Sequence, residues 1–523
     1  MEPVILLLLL SSLSLTYAIC LAVYRLFLCP VSQFPGPRLA ALTFWYEFFY
    51  DVVLRGRYTW KIKELHEKYG PIIRINPEEL HISDPSFYDD VYVNYATRPT
   101  DKWYWSARQF GTYQDTVSTV DHRIHRHRRA ALNPLFSKKS IAALEPRVKS
   151  HVDKLIGRLK SLKGTGKPVN LIDSFVAFTT DVISDLTLGQ PYGFLDQPNF
   201  NAGWHPFLME LSRNTHLMKQ FSWAYSILEF LPRQVISLLD PFLIHQLHSL
   251  QDSISQSVHS HHAHHTTNDK ESSPSHISSI ISSLLSSPHL LPPDKNPSRL
   301  AEETFVLLGA GTTTTAWALA VTTYHILSNP HILTTLQSEL CTLVQTTSPL
   351  PPLSSYSQLP YLSAVLNEGL RLSHGTSHRL ARVSPYEDLE FNDYSIPAGT
   401  PVSMTQMHIH LDPVLFPDPD SFMPERWIAG PQNSEDAVRE RKRYLVPFSK
   451  GARMCVGMHL AELELGGVVG RMFGGGGFGG ADGNNEGCRL ELVGTGVRDV
   501  RVEKDWFNPV PWEGSRGVRV LVK

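Results

Sequence analysis

The stretch with the clearest chemistry is Phe448-Ser449-Lys450-Gly451-Ala452-Arg453-Met454-Cys455-Val456-Gly457, a single cysteine set between glycines. A thiolate that ligates a metal needs a tight turn whose free amide hydrogens point at the sulfur. Gly451 and Gly457 permit that turn and let the backbone approach a flat macrocycle. Phe448 can shield the sulfur from water, and Arg453 can pair with an acidic group. The following run, Met458-His459-Leu460-Ala461-Glu462-Leu463, reads as a helix whose positive N-terminal end further stabilises a thiolate.

This F-x-x-G-x-R-x-C-x-G spacing resembles the heme-binding loop of the cytochrome P450 monooxygenases. In that family the cysteine thiolate is the axial iron ligand and pushes electron density onto the iron. The resemblance therefore implies a heme cofactor held at Cys455, with Phe448, Gly451, Arg453 and Gly457 completing the loop.

An oxygen-handling groove is expected on the long helical pattern Arg299 to Ser328, which contains Ala310-Gly311-Thr312-Thr313-Thr314-Thr315. Consecutive β-branched residues are locally costly in a helix, by roughly a few kcal/mol against alanine, so the pattern points to a functional distortion. It resembles the family's A-G-x-D/E-T-T groove, which implies that Gly311 opens the groove and Thr314 meets dioxygen. Thr313 stands where the family has an acid, which leaves a simple proton relay without its carboxyl group.

Other elements must position these residues. Asp121 to Arg129 is the most basic run in the chain, and it leads into a helix ending near Pro134. The family's W-x-x-x-R pair on this helix binds heme propionates; here it falls on His125 and Arg129, spaced to share one face. Arg382 is the implied second propionate ligand. Glu368 and Arg371, three apart on an amphipathic helix over Tyr361 to Leu372, resemble with Arg426 the family's structural ion triad behind the heme loop. The aromatic stretch from Trp103 to Tyr113 reads equally as core or as a cap on a substrate pocket.

Composition bounds the rest. A chain of 523 residues with 42% hydrophobic residues can bury a large core, and a formal net charge of −2 gives no case for nucleic acid. The 5 cysteines are scattered and odd in number, which argues against a disulfide framework and for a reducing compartment. Val4 to Tyr24 is uncharged and long enough to span a bilayer; Glu2 precedes it, and Arg25 and Arg38 follow. With no basic segment ahead of it, it reads as an uncleaved anchor. Phe34-Pro35-Gly36-Pro37 reads as a stiff neck. Ser253 to Pro297, rich in serine, histidine and proline, reads as a solvated connector, and Gly474 to Gly480 as a loop that weakens the end of the ligand helix. The segments around Asp505 to Pro509 and Gly517 to Val520 read as a closing hairpin.

The expected architecture is mainly α with a small β region. It comprises a transmembrane anchor over 1–28, a proline-rich neck over 29–40 and a single heme-binding domain over 41–523. The stretches Leu65 to Pro71 and Arg128 to Pro134 are similar to fungal secondary-metabolism members of the family, of the trichodiene oxygenase type. That resemblance implies oxygenation of a small hydrophobic terpenoid or polyketide-like intermediate. Electrons would come from NADPH through a separate NADPH-cytochrome reductase, or through a cytochrome b-type donor, at the endoplasmic reticulum with the domain facing the cytosol. The competing readings are a heme-thiolate isomerase or peroxide-using enzyme, and a non-catalytic heme-binding protein.

Overall fold

The computed structural model describes residues 2–223, 227, 231–236, 240–267, 279–346, 351–431, 433–474, 477–478 and 488–523. Its helices include α1 (Glu2–Val23), α2 (Tyr58–Tyr69), α3 (His122–Leu132), α4 (Lys138–Lys160) and α5 (Leu171–Leu188). The series continues with α6 (Thr215–Gln220), α7 (Pro241–Thr267), α8 (Pro297–Ser328), α9 (Pro360–Ser373) and α10 (Met458–Phe473).

The core is organised around α8. It packs against α5, α7, α9 and α10, and α10 in turn packs against α4. Leu300, Ala316, Leu319, Ala320, Val321 and Ile326 of α8 join Phe175, Val182, Ile183 and Leu186 of α5 in one hydrophobic cluster. The close approach of α5 has a local cause, because a Cβ on Gly311 would meet Ile183 Cγ1 at 2.8 Å. Gly311 thus admits α5 against α8.

α8 runs unbroken through its threonines. Three hydroxyls of the run bond back to a carbonyl one turn earlier: Thr312 to Leu308 at 2.7 Å, Thr313 to Gly309 at 3.3 Å and Thr314 to Ala310 at 2.8 Å. These bonds offset part of the local cost of β-branching. Across the interface Thr179 donates to the Thr312 carbonyl at 2.9 Å, so Thr312 serves the α5–α8 contact.

The β structure is small. Strands Ile72–Arg74, Leu80–Ile82, Pro401–Ser403, Arg382–Val383 and Asp101–Lys102 pair in that order to form the largest sheet. A hairpin joins Lys504–Trp506 to Asn508–Val510, and Arg519–Val522 belongs to a different sheet with Val169–Asn170 and Leu490–Leu492. The expected closing hairpin is therefore confined to 504–510.

Two other sequence readings change. The histidine cluster His259 to His265 lies on the last turns of α7 and not in a loop; residues 268–278 of the expected connector lie outside the described residues. α10 continues through Gly466, Gly467 and Gly470 to Phe473, because these glycines seat neighbouring side chains. A Cβ on Gly470 would meet Tyr356 Cδ1 at 2.4 Å. Of the glycine-rich stretch beyond, 475–476 and 479–480 lie outside the described residues.

At the N-terminus, Pro3–Leu28 has mean hydropathy 2.4 over its most apolar window and none of it is buried, so it is long and apolar enough to cross a membrane. The proline segment that follows is pinned to the sheet. Phe34 is buried against Tyr394, with ring centroids 5.3 Å apart, and Arg74 donates its amide to the Pro35 carbonyl at 2.7 Å.

Candidate active site

The cysteine loop is built by backbone hydrogen bonds. Cys455 donates its amide to the Phe448 carbonyl at 2.9 Å, closing the turn, and Ala452 donates to the Val93 carbonyl at 2.9 Å, tying the loop to the body. Gly451 sits at φ 75°, and a Cβ there would meet the Tyr92 and Val93 carbonyl oxygens at 2.4 Å. No other residue fits that position without moving the loop. Gly457 stands at the N-cap of α10 and places its amide toward the Cys455 sulfur. Phe448 is half-buried beside the turn.

Cys455 is solvent-accessible, yet the surrounding protein still acts on its charge. Burial pushes the thiol up, and the Gly457 amide and the Arg129 guanidinium oppose that shift. Among the described residues no disulfide joins the cysteines. In the middle of the otherwise buried α8, Ala310 is exposed and Thr314 is half-exposed, one turn apart on the same face. Thr313 is 8% exposed and turns away from that opening.

A cluster of cations accompanies the loop. Lys102 and Arg382 are directly opposed across antiparallel strands, an arrangement that repels unless an anion lies between them. Burial, then the charge of Arg382, pushes the Lys102 ammonium down to about 7. Burial and the same Arg382 charge bring Arg453 down to about 9. Burial also lowers Arg382 and Arg129. His125 is pushed down to about 2 by burial, then by Arg453 and Arg129, so it is neutral. The Tyr95 hydroxyl contacts its Nδ1. With the phenol as donor, Nε2 carries the proton and is free to donate.

Among the described residues no carboxylate forms an ion pair with Lys102, Arg129, Arg382 or Arg453. Arg453 instead donates to the Thr119 and Val120 carbonyls, each at 2.7 Å, just before α3. Arg129 donates Nε to Asn133 at 2.6 Å. Desolvated, mutually repelling cations around an accessible thiol need compensating negative charge. A heme supplies it with its two propionates, and the donor set present fits that group.

Sequence reasoning brought His125, Arg129, Arg382, Arg453 and Cys455 to one place. It missed Lys102, which only cross-strand register reveals, and Tyr95, whose role depends on a contact 30 residues along the chain. The ion triad is also assembled. Glu368 and Arg371 are fully buried and joined at 2.7 Å, and Arg426 reaches Glu368 at 3.0 Å. The aromatic stretch divides between the two readings: Trp103 is core at 2% exposure, whereas the Phe110 ring meets Phe507 of the hairpin at 4.8 Å.

Comparison with known proteins agrees with this geometry. The family model described as Cytochrome P450 matches residues 35–473. The cytochrome P450 monooxygenase MO6277 of Ascocoryne sarcoides is 40% identical, with 100% of this chain and 99% of that protein covered. The tryptophan 6-hydroxylase fscE of Fusarium equiseti is 40% identical, with 96% and 94% covered. The N-acetyltryptophan 6-hydroxylase ivoC of Emericella nidulans is 38% identical, with 98% and 97% covered.

Proposed function

Because the chain belongs to the cytochrome P450 family and is a heme-thiolate monooxygenase of secondary metabolism, we propose that Cys455 is its iron ligand and Thr314 its proton-handling hydroxyl. The observation that carries this reading is the pairing of an accessible Cys455 with His125 and the cations Arg129, Arg382, Arg453 and Lys102, which form no carboxylate ion pair among the described residues. Those residues would hold the heme propionates. When bound, the heme supplies oxygen activation with electrons delivered by a reductase.

The chain's own residues do the positioning. The Gly457 amide and Arg129 stabilise negative charge on the Cys455 sulfur. Tyr95 orients His125 so that its Nε2–H donates, and Phe448 limits water at the sulfur. On α8, Ala310 leaves room beside the open face, and the Thr314 hydroxyl holds a donor there. At rest that hydroxyl donates to the Ala310 carbonyl at 2.8 Å; rotating it toward the opening lets it hold an ordered water. Thr313 cannot ionise near neutral pH, so protons reach Thr314 through water or a substrate hydroxyl.

Thr314→Ala tests this role, because it removes the hydroxyl and keeps a good helix former. NADPH consumption should continue, with roughly severalfold more hydrogen peroxide per product formed. Unchanged coupling of NADPH to product would leave Thr314 as packing only.

The substrate is hydrophobic and a reductase is the redox partner. We assign the substrate to a terpenoid or polyketide-like intermediate, and the tryptophan-directed relatives add an indole to the panel worth screening. Product profiles of cells fed each class decide among them. The NADPH-cytochrome reductase, with a cytochrome b-type donor as its auxiliary, would dock on the outward basic residues Arg123 and Arg126 of α3, which are exposed.

Residues 1–28 serve as the anchor of one heme domain that extends from the pinned neck onward, with that domain cytosolic at the endoplasmic reticulum. Deleting them should move the protein into the soluble fraction with its carbon-monoxide spectrum intact. Loss of heme on deletion would instead make the segment part of the fold.

A further inference from the structure

A second polar cluster lies outside the cysteine loop, sealed among three segments distant in sequence. Asp51, on the short helix Phe49–Val53, is 4% exposed, and neither carboxylate oxygen has a hydrogen-bond partner. His216 on α6 is 2% exposed and donates Nε2–H to the Asp505 carbonyl at 2.7 Å. In the neutral ring its Nδ1 carries a lone pair; that nitrogen too lacks a hydrogen-bond partner and stands 3.6 Å from Asp51 Oδ2. His378 is 3% exposed and donates Nδ1–H to Asp505 Oδ2 at 2.9 Å, which leaves its Nε2 as the second lone pair.

These donor atoms of Asp51, His216 and His378 all lie within 4.8 Å of one another. Asp505 fixes both imidazole tautomers, one through its carbonyl and one through its carboxylate. Asp505 is itself held by Thr59 at 2.7 Å, Ser377 at 2.8 Å and the Phe507 amide at 2.9 Å. A carboxylate or carbonyl behind each histidine, with the free nitrogens converging, is how proteins prepare imidazoles for a metal.

Charge points the same way. The buried carboxylates of this cluster are Glu47, Glu79, Asp51 and Asp505. Arg379 pairs with Glu47 at 2.7 Å and Glu79 at 2.9 Å, and Lys219 pairs with Glu47 at 2.5 Å. The Lys219 ammonium leans into the gap, 3.2 Å from His378 Nε2 and 3.7 Å from Asp51 Oδ2, where a cation is favoured.

We propose that Asp51, His216 and His378 bind one divalent transition-metal ion, with zinc the test ion for a donor set of two imidazoles and a carboxylate. Lys219 keeps its contact with Glu47 and yields His378 to the metal. The ion joins the N-terminal segment, α6 and the 377–379 loop, next to the hairpin that carries Phe507. It would act as a clasp on that side of the fold, apart from the heme chemistry.

The test uses tag-free, full-length holoenzyme loaded with zinc and dialysed against citrate to strip exposed histidines. Elemental analysis, normalised to heme iron, compares wild type with Asp51→Asn and His378→Gln, and the carbon-monoxide spectrum confirms that each is folded. Wild type should retain about one zinc per heme more than either variant, and added zinc should raise the Tm of wild type alone. The histidines of α7 contribute equally to all three proteins, so the difference reports the buried site. Equal zinc in wild type and folded variants, or none in wild type, overturns the assignment. If neither variant folds, zinc-edge absorption of the wild type decides. Two imidazoles with oxygen ligands support the site, and their absence refutes it.

Discussion

Cys455→Ser is expected to abolish the thiolate-type carbon-monoxide band completely while leaving the helical fold in place. The substitution changes one atom at the end of the Phe448–Gly457 turn. The backbone bonds that shape that turn, from Cys455 N–H to Phe448 and from Ala452 N–H to Val93, do not involve the side chain. A serine hydroxyl does not ionise near neutral pH, so it cannot replace the charge that the Gly457 amide and Arg129 are placed to stabilise. Heme that still binds through the cationic cluster should give the spectrum of a neutral or absent axial ligand, and substrate oxygenation should fall to background. The measurement is the reduced, carbon-monoxide-bound difference spectrum beside circular dichroism. A wild-type band in the variant would remove Cys455 from the iron.

The parts of this site that were legible in the sequence are those carried by local spacing. The cysteine loop is a continuous turn, Ala310 to Thr315 is one stretch of α8, and Glu368 and Arg371 are neighbours on one helical face. What stayed hidden depends on chain segments meeting. Lys102 acquires meaning only because strand register places it opposite Arg382, and Tyr95 because it reaches His125. Gly311 looked like part of an oxygen groove, yet its missing Cβ is required by Ile183, a residue of another helix. The glycines of α10 likewise answer to a distant segment: Tyr356, which fills the space at Gly470, is more than a hundred positions away. The histidines of α7 show the reverse error, in which unusual composition suggested a loop where tertiary contacts hold a helix. His261, for example, shares its Nε2 with the Leu188 carbonyl of α5 at 3.0 Å.

Glu368→Ala should cost about 3–5 kcal/mol, the range for removing one partner of a buried ion network, and should collapse the yield of heme-loaded protein. Glu368 is wholly buried and accepts from every side. Arg371 donates Nε to it at 2.9 Å and Nη2 at 2.7 Å; Arg426 donates at 3.0 Å, the Trp427 indole at 2.9 Å and the Met423 amide at 2.9 Å. Removing the carboxylate leaves two like-charged guanidinium groups facing each other in low dielectric, with an indole and an amide unpaired. The damage should spread, because Arg371 also donates to the carbonyls of His410, Pro419 and Ser421, at 2.8, 2.6 and 3.0 Å. Those carbonyls lie on the stretch that leads from the sheet toward the cysteine loop, and His410 in turn accepts the Val446 amide at 3.0 Å. A disturbed Glu368 is therefore felt at Cys455 without touching it. Arg371→Lys should fail almost as badly, since an ammonium cannot reproduce the planar fork that serves one carboxylate and several carbonyls together. Urea unfolding, read alongside heme content, measures both variants. A Glu368→Ala protein with the wild-type midpoint and full heme would show that the network contributes no net support to the loop.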